Sequence, residues 1–226
     1  MLDDRMRMST SSRGRALSAA VLAAAVVAAL AVALTQPSSV GASCGGVVKK
    51  SPPRKIARHV NPKGRPPLAI GDSSMLLAVP NLARAGYRAN ARGCRQFTEG
   101  IGIVGAAKRQ HKLPHMVAIA LGADASISRS QIEHTLHLLG RKRVLCLVTP
   151  REIGGGSGGD AQHVRDAGQR HPHRVRVLDW VAFSQGHPGW FQPDGLHLTF
   201  PGAHGFTKLF RKGLPLAKAG KFPAPK

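Results

Sequence analysis

The sequence is poor in acidic residues and in aromatic residues. Its 226 residues include 33 lysines and arginines against 11 aspartates and glutamates, a formal net charge of +22. Such a balance favours anionic surroundings, whether nucleic acid, anionic lipid or an acidic polymer of the cell envelope. Only 4% of the residues are aromatic, and they do not alternate with basic residues as they do in proteins that stack bases. The composition therefore argues against nucleic acid as the partner.

The N-terminal third predicts export. Residues 1–15 form a basic segment, and residues 16–34 are apolar at every position except Ser18. A basic segment followed by an apolar helix of this length is typical of a signal peptide or of a single membrane anchor, and both remain open. Residues 35–66 are basic and rich in proline and glycine, so we expect a disordered linker that is attracted to anionic polymer or lipid.

The chain from residue 67 to residue 214 alternates short apolar runs with helical patterns. Two of the runs, "MVAIALG" and "RVLCLVT", are continuously apolar, as strands covered on both faces are. Five strand–helix repeats predict an α/β, doubly wound (flavodoxin-like) three-layer sandwich with a five-stranded parallel sheet. The predicted strands are Leu68–Gly71, Tyr87–Arg92, Met116–Leu121, Arg143–Val148 and Arg174–Leu178. Residues 215–226 are a basic tail.

Two short motifs at opposite ends of this domain carry the chemistry. The first strand ends in "AIGDSSM" (residues 69–75), which presents Ser73 directly after a turn. The second motif, "DGLHLTFPGAHGF" (residues 194–206), holds Asp194 and His197 three positions apart. A carboxylate at this spacing can orient an imidazole, and an imidazole can remove the proton that makes a serine hydroxyl a poor nucleophile.

Several sequence blocks resemble one family. The chain reads "GCRQ" at 93–96, "LGAD" at 121–124, "DW" at 179–180 and "HPGWFQPDGLHLTFPGA" at 187–203. With the Gly-Asp-Ser block, these resemble the SGNH/GDSL hydrolase superfamily. They are most similar to the SGNH domains of acyltransferase membrane proteins and peptidoglycan O-acetyltransferases. The resemblance covers residues 67–214.

The resemblance implies a role for each matching residue. Ser73 would be the nucleophile, His197 the base and Asp194 the residue that orients it. The oxyanion hole would consist of the Ser73 amide, a backbone amide at Gly93 or Cys94, and a side chain at position 124. The family usually has asparagine there, whereas this chain has Asp124. An ionised carboxylate only accepts hydrogen bonds and repels an oxyanion, so Asp124 must be protonated or point elsewhere, for example to Arg95.

Four further residues are candidates for substrate binding: Asp72, Arg95, Trp190 and Phe191. Each has a structural alternative, because Asp72 can stabilise its own turn, an arginine at a strand end is often solvated, and the two aromatic residues can support the loop that precedes His197. We expect no metal site, since the histidines lack partners at ligand spacing, and no other cofactor. The run "GGGSGGD" (residues 154–160) lacks the Lys-Ser/Thr ending of a phosphate loop, which predicts a flexible loop.

The three cysteines, Cys44, Cys94 and Cys146, allow one pair in an exported protein. Cys146 falls inside a predicted central strand, where a small buried residue is expected. In the predicted strand order, strands two and four lie about 14 Å apart, which is beyond disulfide reach. Cys44–Cys94 is therefore the feasible bridge.

These observations predict an exported, monomeric serine esterase that acts on ester-linked groups, chiefly O-acetyl groups, of envelope glycans or on small esters. Two alternatives remain open. One is an O-acyltransferase that uses a separate acyl donor. The other is a weakly active or inactive SGNH domain that binds envelope glycan, which the aspartate at position 124 favours.

Overall fold

A computed structural model describes residues 47–52 and 64–215 of the chain. Within these residues the fold is built on a six-stranded sheet with the order β1-β3-β2-β4-β5-β6. Neighbouring strands from β2 to β6 run parallel, and β1 runs antiparallel to β3. The strands are β1 (Val48–Ser51), β2 (Leu68–Gly71), β3 (Arg88–Arg92), β4 (Met116–Ala120), β5 (Val144–Val148) and β6 (Val175–Leu178).

Helices cover both faces of the sheet. They are α1 (Val79–Ala85), α2 (Phe97–Arg109), α3 (Arg129–Leu139), α4 (Gly159–Arg170), α5 (Trp180–Phe183) and α6 (Phe200–Arg211), with short 3-10 helices at Ser73–Ala78 and Pro188–Trp190. One apolar core lies between the sheet and α1 and α6, and a second lies between the sheet and α2, α3 and α4. Alternate residues of β4 enter opposite cores, Ala118 the first and Ile119 the second.

The predicted fold class is confirmed, with one correction to the strand count. The central strands β4 and β5 are buried at every position, as their continuously apolar sequences predict. The parallel order β3-β2-β4-β5-β6 is the predicted doubly wound order. The sheet has six strands instead of five, because β1 adds an antiparallel edge.

Strand β1 lies inside the segment predicted to be a disordered linker, residues 35–66. Its residues Lys49 and Lys50 pair with Ala91 and Asn90 of β3 and are exposed to solvent. An edge strand pairs on one side only and tolerates charged side chains. Its composition therefore looks like that of a solvated linker, and the pairing depends on a partner about 40 residues away.

The predicted transmembrane helix and the predicted Cys44–Cys94 disulfide are not found within the described residues, and each includes residues outside them. No helix in this part of the chain is long and apolar enough to cross a bilayer. No two cysteines there lie at disulfide distance, and Cys146 is a buried free thiol. The segment 16–34 and the predicted cysteine partner Cys44 lie outside the described residues, as do residues 1–15 and 216–226.

Candidate active site

The turn after β2 is organised by Asp72, which is 1% exposed. Its Oδ1 accepts hydrogen bonds from the Ser74 amide at 3.0 Å and the Ser74 hydroxyl at 2.6 Å. Its Oδ2 accepts one from the Ala123 amide at 3.2 Å, which ties the turn to the loop after β4. Both carboxylate oxygens are thus occupied by protein donors. The structure favours the turn-stabilising role of Asp72 over a contact with substrate.

Burial raises the pKa of Asp72 from 3.8 to about 6. The hydrogen bonds from Ser74 and Ala123 act in the opposite direction, and the nearby Asp124 carboxylate adds to the increase. Removing a carboxylate from water disfavours its charged form, and here the hydrogen bonds only partly offset that cost. The protonation state of Asp72 therefore changes near pH 6.

Ser73 is the first residue of the 3-10 helix and is half-buried. Gly71 precedes this turn because a Cβ atom there would lie 2.6 Å from the side chain of Met75. Neither the amide nor the hydroxyl of Ser73 forms a hydrogen bond with another described residue. A first-turn amide has no partner within its own helix, so this donor is open to a group that approaches from outside.

Residues 194–197, which we name the Asp-His turn, hold the second half of the site. The Nδ1 atom of His197 lies 2.6 Å from Oδ2 of Asp194, and Oδ1 accepts the amides of Leu196 and His197 at 2.9 Å each. Partial burial raises the pKa of Asp194, but these hydrogen bonds outweigh it and the pKa lies below its usual range. An ionised Asp194 requires that Nδ1 carry the proton and donate it, which leaves Nε2 as the acceptor.

The Ser73 turn and the Asp-His turn meet at the carboxyl ends of the parallel strands. Asp72 and Ser74 from the first turn and Leu196 from the second line one cleft. No hydrogen bond joins Ser73 and His197. In free enzymes such contacts are often long and shorten only when substrate binds. The predicted contact between Ser73 and His197 stays a prediction.

The structure changes the set of predicted oxyanion donors. The Gly93 amide already donates to the Val47 carbonyl, directly before β1, at 3.2 Å, so it is not available to an oxyanion. Cys94 adopts a positive φ of 50° and stays a prediction. Asp124 is exposed at the rim and has no hydrogen bond to a described residue. Although the residue as a whole is exposed, partial burial of its carboxyl group raises the pKa of that group, and the nearby His197 imidazole partly offsets this effect.

Arg95 does not reach Asp124. Its side chain is buried, with 4% exposure. Nη1 donates to the carbonyls of Gly71 at 2.9 Å and Asn90 at 2.7 Å, and Nη2 donates to Asn90 Oδ1 at 3.0 Å. These contacts hold the end of β2, directly before Asp72, against β3. Arg95 is therefore neither solvated nor turned toward substrate, contrary to both alternatives from the sequence.

The two aromatic candidates also pack within the protein. Trp190 stacks on Trp180 with ring centroids 5.6 Å apart and on His187 at 4.0 Å. Phe191 is 9% exposed, and it forms an isolated bridge with Leu198 that closes the loop around the Asp-His turn. These contacts favour the supporting role for both residues.

The loop between β5 and α4, predicted from its glycines to be flexible, contacts the site, and nothing in the sequence indicates that contact. Its Gly154 amide donates to the Asp194 carbonyl at 2.7 Å, so the glycine-rich run is attached to the site and does not hang free. Within the described residues, no three His, Cys, Asp or Glu side chains form a group that could hold a metal ion.

Comparisons with known proteins add the family context. No family model matches the chain. The peptidoglycan O-acetyltransferase OatA of Listeria monocytogenes is 29% identical over 144 residues, which are 63% of this chain and 23% of that protein. The C-terminal catalytic domain of Streptococcus pneumoniae peptidoglycan O-acetyltransferase A has a TM-score of 0.61 at 22% identity, over 72% of this chain and 98% of that domain. A lipase/acylhydrolase of Enterococcus faecalis has a TM-score of 0.52 at 17% identity, over 71% of this chain and 100% of that one.

These similarities confirm the predicted resemblance. The chain has the fold of the SGNH/GDSL hydrolases, and its sequence relatives are peptidoglycan O-acetyltransferases. The chain spans about a quarter of the length of the curated relatives that it matches.

Proposed function

We propose that the chain is an exported serine esterase that removes ester-linked acyl groups, chiefly acetyl groups, from cell-envelope glycans. The observation that supports this most directly is the 2.6 Å contact between His197 Nδ1 and Asp194 Oδ2. It leaves Nε2 as a base at the rim where the Ser73 turn ends. The glycan is suggested by the relatives, which are named as O-acetyltransferases of peptidoglycan.

The reaction would proceed through an acyl-enzyme. His197 Nε2 accepts the proton of the Ser73 hydroxyl while Oγ attacks the ester carbonyl carbon. The resulting oxyanion is stabilised by the Ser73 amide, by the Cys94 amide and, when its carboxyl group is protonated, by Asp124. Collapse breaks the bond to the sugar oxygen, which takes the proton from His197. Water then attacks the acyl-enzyme by the same route and releases the carboxylic acid and free Ser73.

Transfer is the second candidate, and the names of the relatives favour it. In that reaction a sugar hydroxyl replaces water in the second step, and the acyl group reaches Ser73 from a separate donor. A glycan-binding domain without catalysis is the third candidate, which Asp124 favours because an ionised carboxylate weakens an oxyanion hole. In each case the basic linker would attract the protein to anionic polymer or lipid, and salt would weaken that attraction.

Turnover of p-nitrophenyl acetate by the full chain and by Ser73→Ala tests the proposal. Ser130→Ala, an exposed serine on α3, is the matched control. We expect that Ser73→Ala loses turnover and labelling by a serine-directed fluorophosphonate, and that Ser130→Ala keeps both. Equal rates in all three proteins would refute the esterase and leave the binding domain. Faster loss of the acyl group when a glycan fragment is added would identify transfer.

A further inference from the structure

Arg151, three residues after β5, contacts the Asp-His turn from a neighbouring loop. Its Nε donates to the carbonyl of Gly195 at 3.1 Å. Its Nη1 donates to the hydroxyl of Ser184, at the end of α5, at 3.1 Å. The guanidinium carbon lies 4.0 Å from the centroid of the Phe191 ring. One side chain thus joins the turn, α5 and the loop that precedes the turn.

The backbone of the same loop fits closely against the turn. The Gly154 amide donates to the Asp194 carbonyl at 2.7 Å. A Cβ atom on Gly195 would lie 2.7 Å from the Gly155 amide nitrogen, and one on Gly155 would lie 2.7 Å from Arg151 Nη2. At Gly195 the obstacle is backbone, so the turn and the loop that carries Arg151 lie in direct contact with no room for a side chain there.

The contacts of Arg151 are not those of an ion pair. Within residues 47–52 and 64–215, no carboxylate lies within salt-bridge distance of its guanidinium. Its acceptors are a backbone carbonyl and a hydroxyl, both neutral. The planar guanidinium donates in several fixed directions at once, which suits it to hold two segments in a defined geometry.

We propose that Arg151 is a positioning residue, which holds the Asp-His turn so that His197 Nε2 faces Ser73. This inference rests on the proposed function of the Ser73 and His197 pair. A displacement of about 1 Å in a reacting group can cost about 100-fold in rate. Loss of the Gly195 contact should therefore lower the rate of the chemical step, although Arg151 itself touches no reacting atom.

Arg151 also lines the cleft beside Asp72 and Ser74, which suggests a competing role. A guanidinium there could bind an anionic group of the substrate. The two roles differ in kinetics: a positioning residue acts on kcat, whereas a residue that binds substrate equally in ground state and transition state acts on KM.

The test uses the full chain with Arg151→Met, Arg151→Lys and the matched control Arg174→Met. Arg174 also donates to two backbone carbonyls, those of Leu136 and Gly140. It directly precedes β6 and so lies at the amino ends of the parallel strands, away from the site at their carboxyl ends. We expect Arg151→Met to lower kcat for p-nitrophenyl acetate about 10- to 100-fold with KM changed less than about threefold. Arg151→Lys should lose less, and Arg174→Met should keep kcat.

A rise in KM at unchanged kcat would overturn the positioning role in favour of substrate binding. Equal losses in Arg151→Met and Arg174→Met would overturn it in favour of a general effect on folding. Ser184→Ala covers the case in which Arg151→Met does not fold, since it frees one side of the guanidinium and keeps the cation. It should lower kcat in the same direction by a smaller factor, and an unchanged kcat would count against the proposal.

A readout that needs no activity separates this inference from the proposed function. The proton that His197 Nδ1 donates to Asp194 should give a low-field proton resonance, assigned by its absence in His197→Gln. We expect this resonance to shift or broaden in Arg151→Met and to stay in place in Arg174→Met and Ser73→Ala. If the wild type shows no turnover and no labelling, the esterase fails, and the resonance alone decides the role of Arg151. An unchanged resonance in Arg151→Met would overturn it.

Discussion

Asp194 contacts His197 twice within a single turn, through the backbone amide at 2.9 Å and through the ring Nδ1 at 2.6 Å. Each contact uses a different carboxylate oxygen: Oδ1 accepts the hydrogen bond from the amide, and Oδ2 accepts the one from the ring Nδ1. The carboxylate therefore shapes the turn and orients the imidazole at the same time. The pair itself forms within four consecutive residues, whereas the turn that carries it is bonded to Arg151 and Gly154 of a neighbouring loop.

Asp194→Asn should lower kcat for p-nitrophenyl acetate by about 10²- to 10⁴-fold. The amide nitrogen can donate where the carboxylate accepted, which turns the imidazole to the wrong tautomer. Steady-state kinetics of the full chain measures the change. Asp166→Asn is the control, because Asp166 lies on α4 and its side chain bonds only Gln162 among the residues that the structure describes. Similar kcat values in the two variants would contradict the role of Asp194.

Asp124→Asn should raise kcat, by up to about 100-fold at neutral pH. An asparagine amide can always donate to the oxyanion, whereas Asp124 can donate only when protonated, and one such donor is worth about two orders of magnitude. Partial burial raises the pKa of Asp124, so the protonated fraction falls as pH rises through that pKa. The gain should thus be smaller at pH 5 than at pH 8 in a series of kcat measurements. A lower kcat in the variant at every pH would show that the carboxylate is needed for another reason.

The ionisation of Asp72 should make the protein less stable as pH rises. Its pKa is 3.8 ordinarily and about 6 when folded, so between these values the folded state binds more protons than the unfolded state. The favourable contribution is fully present below pH 3.8 and is lost as pH passes 6, about 3 kcal/mol in total. Between pH 5 and pH 7 the loss should be roughly 1 kcal/mol.

Urea unfolding of wild type and Asp72→Asn at pH 5 and pH 7 measures this contribution. All other titrating groups are the same in the two proteins, so their contributions cancel when the free energies of unfolding are subtracted. We expect the free energy of unfolding to fall more steeply with pH in the wild type. Parallel pH dependence in both proteins would show that Asp72 does not titrate in this range.

Gly195→Ala should lower both stability and activity. Gly195 has a φ of 68°, and a Cβ atom there would meet the backbone of Gly154 and Gly155 at 2.7–3.0 Å. We expect a loss of about 2 kcal/mol in the free energy of unfolding and a lower kcat, because the turn moves away from its loop. Gly189→Ala is the control, because a Cβ atom there meets nothing within 4 Å. It should leave both stability, measured by thermal unfolding, and kcat, measured by steady-state kinetics, unchanged. An unchanged free energy of unfolding in Gly195→Ala would show that the loop at Gly154 and Gly155 moves to accommodate the added methyl group.

Much of the fold could be predicted because its signals are local. The apolar runs of β4 and β5 indicate strands that are covered on both faces, and every residue of both strands is buried. Five strand–helix repeats permit few arrangements of a parallel sheet. The Asp-His pair was predictable for the same reason, since its members are three residues apart. Strand β1 was not predictable, because Lys49 and Lys50 read as solvated residues until β3 supplies their backbone partners.

The sequence by itself determined the layered parallel sheet, the turn that presents Ser73 and the pairing of Asp194 with His197. Only the tertiary structure decided the roles of the residues around them: Arg95 is buried under the first turn, and Arg151 reaches Gly195 across 44 positions. A hydrogen bond between distant segments leaves no periodicity or spacing in the sequence. It exists only because the sheet brings the carboxyl ends of its parallel strands to one edge.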